Sequence, residues 1–119
     1  MSHTRQSLLK SFQHAFEGII HTIKKERNIK IHFSFMCAVI LCGFYFHITK
    51  IEWMICLILF ALVLSLELVN TAIEAVVDLA SPDIHPLAKL SKDAAAGAVL
   101  ISAIISAIIG LMIFIPYII

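Results

Sequence analysis

The sequence predicts an all-α integral membrane protein with three transmembrane helices and an N-terminal amphipathic surface helix, assembled as an oligomeric bundle. Three observations carry this. Of the 119 residues, 61% are hydrophobic and 14% are charged, and mean hydropathy is +0.98; a soluble domain holds about 45–50% apolar and about 25% charged residues. Three apolar runs, residues 31–48, 53–79 and 94–115, each reach the length of about 17 residues or more that a spanning helix needs. The Lys and Arg residues cluster on alternate sides of these runs. Disorder is excluded, because it requires low hydrophobicity and high net charge, and the formal charge is +1. A mass of 13.2 kDa leaves room for one membrane domain over residues 1–119.

The first element precedes the spans. In residues 6–25, Leu8, Leu9, Phe12, Phe16, Ile19, Ile20 and Ile23 recur at three- and four-residue steps, which makes one apolar stripe on a helix. Lys10, Gln13, His14 and Glu17 lie largely off it. Such a helix lies in the membrane interface or packs on the inner end of the bundle, and the two placements are compatible. The apolar runs themselves show no period-two alternation, so they are helices and not strands. The run over 31–48 starts too late for a cleavable signal peptide, and no small-residue cleavage site follows it.

Arg5, Lys10, Lys24, Lys25, Arg27 and Lys30 precede the first run, Lys50 alone separates the first two, and Lys89 and Lys92 precede the third. Positive charge stays on the cytoplasmic side, so the N-terminus and the second loop are expected inside and the C-terminus outside. Tyr45, Trp53 and Tyr117 then fall at the outer interface, where aromatic belts form. Pro82 and Pro86 mark the second loop. The second span is expected to end near Leu79, and the third helix to begin near Lys89.

The three cysteines, Cys37, Cys42 and Cys56, lie inside runs and form no CxxC pair; they read as small hydrophobes. The four glycines make no GxxxxGK[ST] and no GxGxxG motif, so a P-loop or Rossmann phosphate cradle is excluded. No Gly-x-Ser-x-Gly elbow occurs.

Chemistry concentrates in ELVNTAIEAVVD, residues 67–78. Glu67, Asn70, Glu74 and Asp78 follow one another at spacings of three, four and four. At roughly 100° per residue they share one helical face within an arc of about 80°. Thr71 lies beside them, and Leu68, Val69, Ala72, Ala75, Val76 and Leu79 lie opposite. A carboxylate at the bilayer centre costs about 2.5–3.5 kcal/mol on insertion scales, and Leu would pack better. A hydrogen-bond ladder that fixes helix register needs one such group, not three acids and an Asn.

Carboxylate oxygens suit hard cations such as Mg²⁺, and a carboxylate held in lipid keeps its proton more tightly, which suits a general base near neutral pH. Glu67, the deepest, is placed to take a proton from a group that a lipid presents. Glu74 is placed to hold a metal at headgroup level. Asp78 stands at the water boundary, where it suits a cationic partner. Glu26, Lys92 and Asp93 reach the same depth under this topology and ring one interfacial pocket. In the third run Ala98, Ser102, Ser106 and Gly110 recur at intervals of four; small residues so spaced let helices approach closely. Three spans alone form a thin bundle, so a homo-oligomer is expected, with a neighbour covering part of the acid stripe.

Two other classes compete with an enzyme. A small oligomeric proton-coupled exporter also carries a membrane-embedded Glu, but it needs an acid near mid-bilayer reachable from both faces. Here WMICLILFALVLSL, the outer half of the second run, has none. A purely structural assembly subunit is the other.

ELVNTAIEAVVDL followed by HPLAKLSKDAAAGAVL resembles the prokaryotic diacylglycerol kinase family of small membrane enzymes. A weaker N-terminal match, LLKSFxHAFEGI then KKERN, extends the resemblance over most of the chain. KDAAAGAV, ERN and IEWM look more like the undecaprenol kinase branch of Gram-positive bacteria than the diacylglycerol kinase branch. The resemblance implies an ATP-dependent lipid kinase, a homotrimer with interfacial active sites between subunits, using Mg²⁺ with ATP. By motif position, Glu67 matches the general base and Asn70 the polar residue that supports it. Glu26 and Glu74 match the metal-binding glutamates. Asp78, Lys92 and Asp93 match the nucleotide site, with Lys92 on phosphate, and His85 falls in the loop that the family uses against the nucleotide. His14 stands where the family has an aromatic near the nucleotide. Ser7 stands where the best-known members carry Arg, which leaves Arg5, Lys10 or neither as a phosphate contact. Ala96 stands where diacylglycerol-preferring members carry Ser, which favours a polyprenol, undecaprenol, over diacylglycerol as the substrate.

Overall fold

The computed structural model describes residues 5–119. Four helices follow in order: α1 (Arg5–Lys25), α2 (Arg27–Phe46), α3 (Lys50–Ala80) and α4 (Pro86–Ile118). The last three are long and apolar enough to cross a membrane. At 1.5 Å per residue, the 31 residues of α3 and 33 of α4 extend to roughly 46 and 50 Å. Both exceed the roughly 30 Å hydrocarbon layer, so their ends project into the interfaces.

A single residue separates α1 from α2. Glu26 leaves the helical region at φ −91° and ψ 124°, while its N–H still donates to the Thr22 carbonyl at 2.8 Å. The charged KKERN stretch therefore sits at a sharp junction. The apolar stripe of α1 is largely uncovered: Leu8, Leu9, Phe12, Phe16 and Ile20 are all exposed, as a helix bound to a lipid interface requires. Thr22, near its end, is its buried residue.

The α2–α3 turn is tightly specified. His47 takes the left-handed conformation (φ 54°, ψ 53°) that ends α2, and the Ile48 N–H donates to the Gly43 carbonyl. Thr49 and Glu52 form a capping box: the Glu52 N–H donates to Thr49 Oγ1 at 3.2 Å and the Thr49 N–H to Glu52 Oε1 at 2.9 Å. Two orphan donors are thus satisfied reciprocally. Around this turn Ile48, Cys56 and Ile113 are buried against Phe46, Trp53, Phe114 and Tyr117. Gly43 is required here, because a Cβ would come within 2.6 Å of the Trp53 ring.

The α4 helix starts at Pro86, three residues ahead of the expected Lys89. Proline at the first helical position has its φ preset and lacks only a donor that would be unpaired there. His85 caps this start, its Nδ1 accepting the Leu87 N–H at 3.1 Å. Pro86 therefore opens the helix and does not merely precede it. Antiparallel α3 and α4 are tied at both ends. Asp78 pairs with Lys92 at one end, and the Tyr117 hydroxyl donates to Glu52 at the other. These two ties hold one register along the hairpin. Helix α2 leans away from this pair. The gap is an apolar cleft of about 550 Å³, bordered by His32, Phe35, Cys56, Phe60, Ser106 and Phe114 among others.

Candidate active site

The expected stripe is on α3, graded in burial from one end to the other. Glu67 (3% exposed) and Asn70 (9%) are buried, Glu74 is half-buried and Asp78 is exposed. The deep half of the stripe is thus covered within the chain itself, with His32 of α2 against Glu67. Each member has a distinct partner.

Glu67 Oε1 lies 3.1 Å from His32 Nε2 on α2, a contact between residues 35 apart in the chain. Thr71 turns its hydroxyl back to the Glu67 carbonyl at 3.0 Å, and so does not occupy the carboxylate. Asn70 Nδ2 donates to Glu74 Oε1 at 3.0 Å, while Asn70 Oδ1 is buried without a hydrogen-bond partner. An unpaired buried acceptor costs about 1–3 kcal/mol, so it marks a place where a donor or a cation is wanted. Asp78 pairs with Lys92 across the hairpin. Lys92 stands ahead of the apolar run of α4, and the hydrogen bond it donates to the Asp78 carboxylate holds its amine above the usual lysine range, with the Glu74 charge adding to the effect. The same reach places Glu74, Asp78 and Lys92 around one point at the end of the hairpin.

The other expected residues are more dispersed. Asp93 is taken by Lys89 in an i,i+4 pair at 2.6 Å. His85 is exposed and serves as the α4 cap. On α1, exposed His14 has Nδ1 3.5 Å from Glu17, and Ala96 is exposed on α4. Glu26 is half-buried at the α1–α2 junction, and its side chain caps nothing. Among the described residues, no hydrogen bond or ion pair links Glu26, His14 or His85 to the α3 stripe, and no three His, Cys, Asp or Glu side chains gather into a metal cage. The donor set nevertheless fits Mg²⁺. That ion keeps several waters and takes one or two carboxylates plus substrate phosphates, and Glu74, with one oxygen fixed by Asn70, offers such a ligand.

Sequence reasoning passed over His32. It sits in an apolar run with no charged neighbour at helical spacing on its own face. Only the α2–α3 packing brings it to Glu67.

A model of the prokaryotic diacylglycerol kinase family matches residues 13–114. The chain is 55% identical over 107 residues to the undecaprenol kinase of Bacillus subtilis, covering 90% of this chain and 87% of that protein. It is 40% identical over 111 residues to a diacylglycerol kinase of Synechocystis, covering 92% of this chain and 63% of that one. A diacylglycerol kinase of Haemophilus influenzae is 30% identical over 102 residues, 86% of each chain. With three apolar helices of spanning length and an acid stripe at the end of a hairpin, the chain belongs to the prokaryotic diacylglycerol kinase family and is a multi-pass membrane lipid kinase.

Proposed function

We propose that this chain phosphorylates undecaprenol with Mg·ATP at the cytoplasmic face of the membrane, as a homotrimer with its N-terminus inside and its C-terminus outside. The observation that carries this is a buried carboxylate, Glu67, joined to the apolar cleft through His32, which borders that cleft, and one helical turn from the Asn70–Glu74 pair. A lipid chain lies in an apolar environment while its hydroxyl meets the base, and nucleotide arrives from the charged end of the hairpin.

Glu67 takes the hydroxyl proton as the lipid oxygen bonds to the γ-phosphorus and the bond to the β-phosphate oxygen breaks. Glu74 and Glu26 would hold Mg²⁺, which would supply neutralising charge to the phosphates. Lys92 exchanges Asp78 for a phosphate oxygen, and Asp78 stays to orient it. Asp93 and His85 flank the nucleotide, with His14 reaching it from α1. Asn70 holds Glu74 through its amide and offers Oδ1 to the bound reactants.

Undecaprenol is favoured by the 55% identity to an undecaprenol kinase and by Ala96 in place of the Ser of diacylglycerol-preferring members. The second reading, diacylglycerol phosphorylation, draws on the 40% and 30% identities to diacylglycerol kinases. Purified protein given labelled ATP and Mg²⁺ with undecaprenol or diacylglycerol in the same lipid mixture decides between them. Undecaprenol is expected to be turned over at least about tenfold more efficiently, a difference of about 1.4 kcal/mol in transition-state binding. The reverse order would assign the diacylglycerol activity.

A further inference from the structure

The geometry points to His32 as the positioning residue of the reaction: its Nε2–H holds the Glu67 carboxylate in the orientation that accepts the lipid proton. This rests on Glu67 being the base. His32 and Glu67 come from different helices and meet at 3.1 Å. The Glu67 side chain is 4% exposed and that of His32 21%, so the contact is shielded while the imidazole edge still borders the apolar cleft. Among the described residues, no other side chain bonds to the Glu67 carboxylate. Its Oε2 is therefore left over.

A carboxylate on two flexible methylenes turns freely about its last torsion. A hydrogen bond to one oxygen fixes that torsion and aims the lone pairs of the other. A base oriented by a third group is the general arrangement for activating a hydroxyl. Here the donor is supplied across the α2–α3 interface, so the position of α2 and the readiness of the base are coupled. The imidazole needs only its neutral Nε2–H form, and it takes up no proton in the step: the hydroxyl proton goes to Glu67 Oε2. A charged acceptor makes this hydrogen bond worth more than a neutral pair.

Three variants test the role, each purified as the intact assembly. His32→Phe keeps an aromatic ring but has no donor. It is expected to lower kcat by about tenfold or more, with KM for Mg·ATP and for the lipid unchanged to about twofold. His32→Gln restores a donor and is expected to recover kcat to within about threefold of wild type. Wild-type kcat in His32→Phe, a change confined to KM, or no recovery in His32→Gln would each overturn the assignment. Glu67→Gln separates the two readings. If it is inactive while His32→Phe is unimpaired, the base stands and the positioning role falls. If Glu67→Gln turns over normally, the base itself is misassigned and His32 has nothing to position.

Discussion

At the scale of residues, each polar group on α3 has a job that its neighbours define. Glu67 is buried and meets one imidazole, Asn70 spends its amide on Glu74 and keeps a carbonyl oxygen unpaired, and Asp78 pairs with Lys92. The Asp78–Lys92 pair is 65% and 41% exposed at its two side chains, and exposed pairs contribute about 0–1 kcal/mol. Lys92→Met is therefore expected to change thermal stability in detergent by less than about 1 kcal/mol while reducing phosphoryl transfer by about 100-fold or more. A calorimetric scan beside a kinase assay on the same preparation checks both. Asn70→Ala removes the group that fixes Glu74. Its Mg²⁺ dependence is expected to shift upward by about tenfold, read from initial rates across a Mg²⁺ series at saturating lipid. The α3 stripe was legible in the sequence because 3.6-residue periodicity alone puts 67, 70, 74 and 78 on one face. His32 was not, because its relevance depends on a crossing between helices that no local pattern encodes.

Among the elements, α3 and α4 pack extensively against each other, while α2 packs less against α3. The three apolar runs marked the helices, but their ends were set by chemistry that hydropathy does not read. Pro86 with the His85 cap starts α4 early, and Glu26 splits α1 from α2 at a single residue. The α2–α3 turn is held by the Thr49–Glu52 box and by the Trp53 ring seated on Gly43. Gly43→Ala puts a methyl about where the ring lies. It is expected to destabilise the fold by about 1–3 kcal/mol, seen as a lower melting temperature, and to leave KM for Mg·ATP unchanged because the turn is at the far end of α3 from Asp78. Thr49→Ala is expected to lose about 1 kcal/mol in the same measurement.

Taken whole, the chain measures 52 × 43 × 22 Å and exposes large apolar side chains along α2, α3 and α4. Lipid satisfies much of that surface. A Cβ added at Gly110 would meet nothing, so the small-residue row on α4 is only partly used within the chain. Mass measurement of the detergent-solubilised protein is expected to give three copies. That number was carried by the family resemblance, and packing of a single chain does not contain it. What composition and hydropathy did contain was the membrane class and the number of spans, because both depend on summed transfer energies and not on contacts. If the buried carboxylate on α3 abstracts the lipid proton and does not merely pack helices, its loss must stop the chemistry and leave the fold intact. Transfer of label from ATP to undecaprenol by Glu67→Gln tests it most directly, with assembly mass and melting temperature matched to wild type. Turnover is expected to fall by about 100-fold or more, and a rate within about threefold of wild type would contradict it.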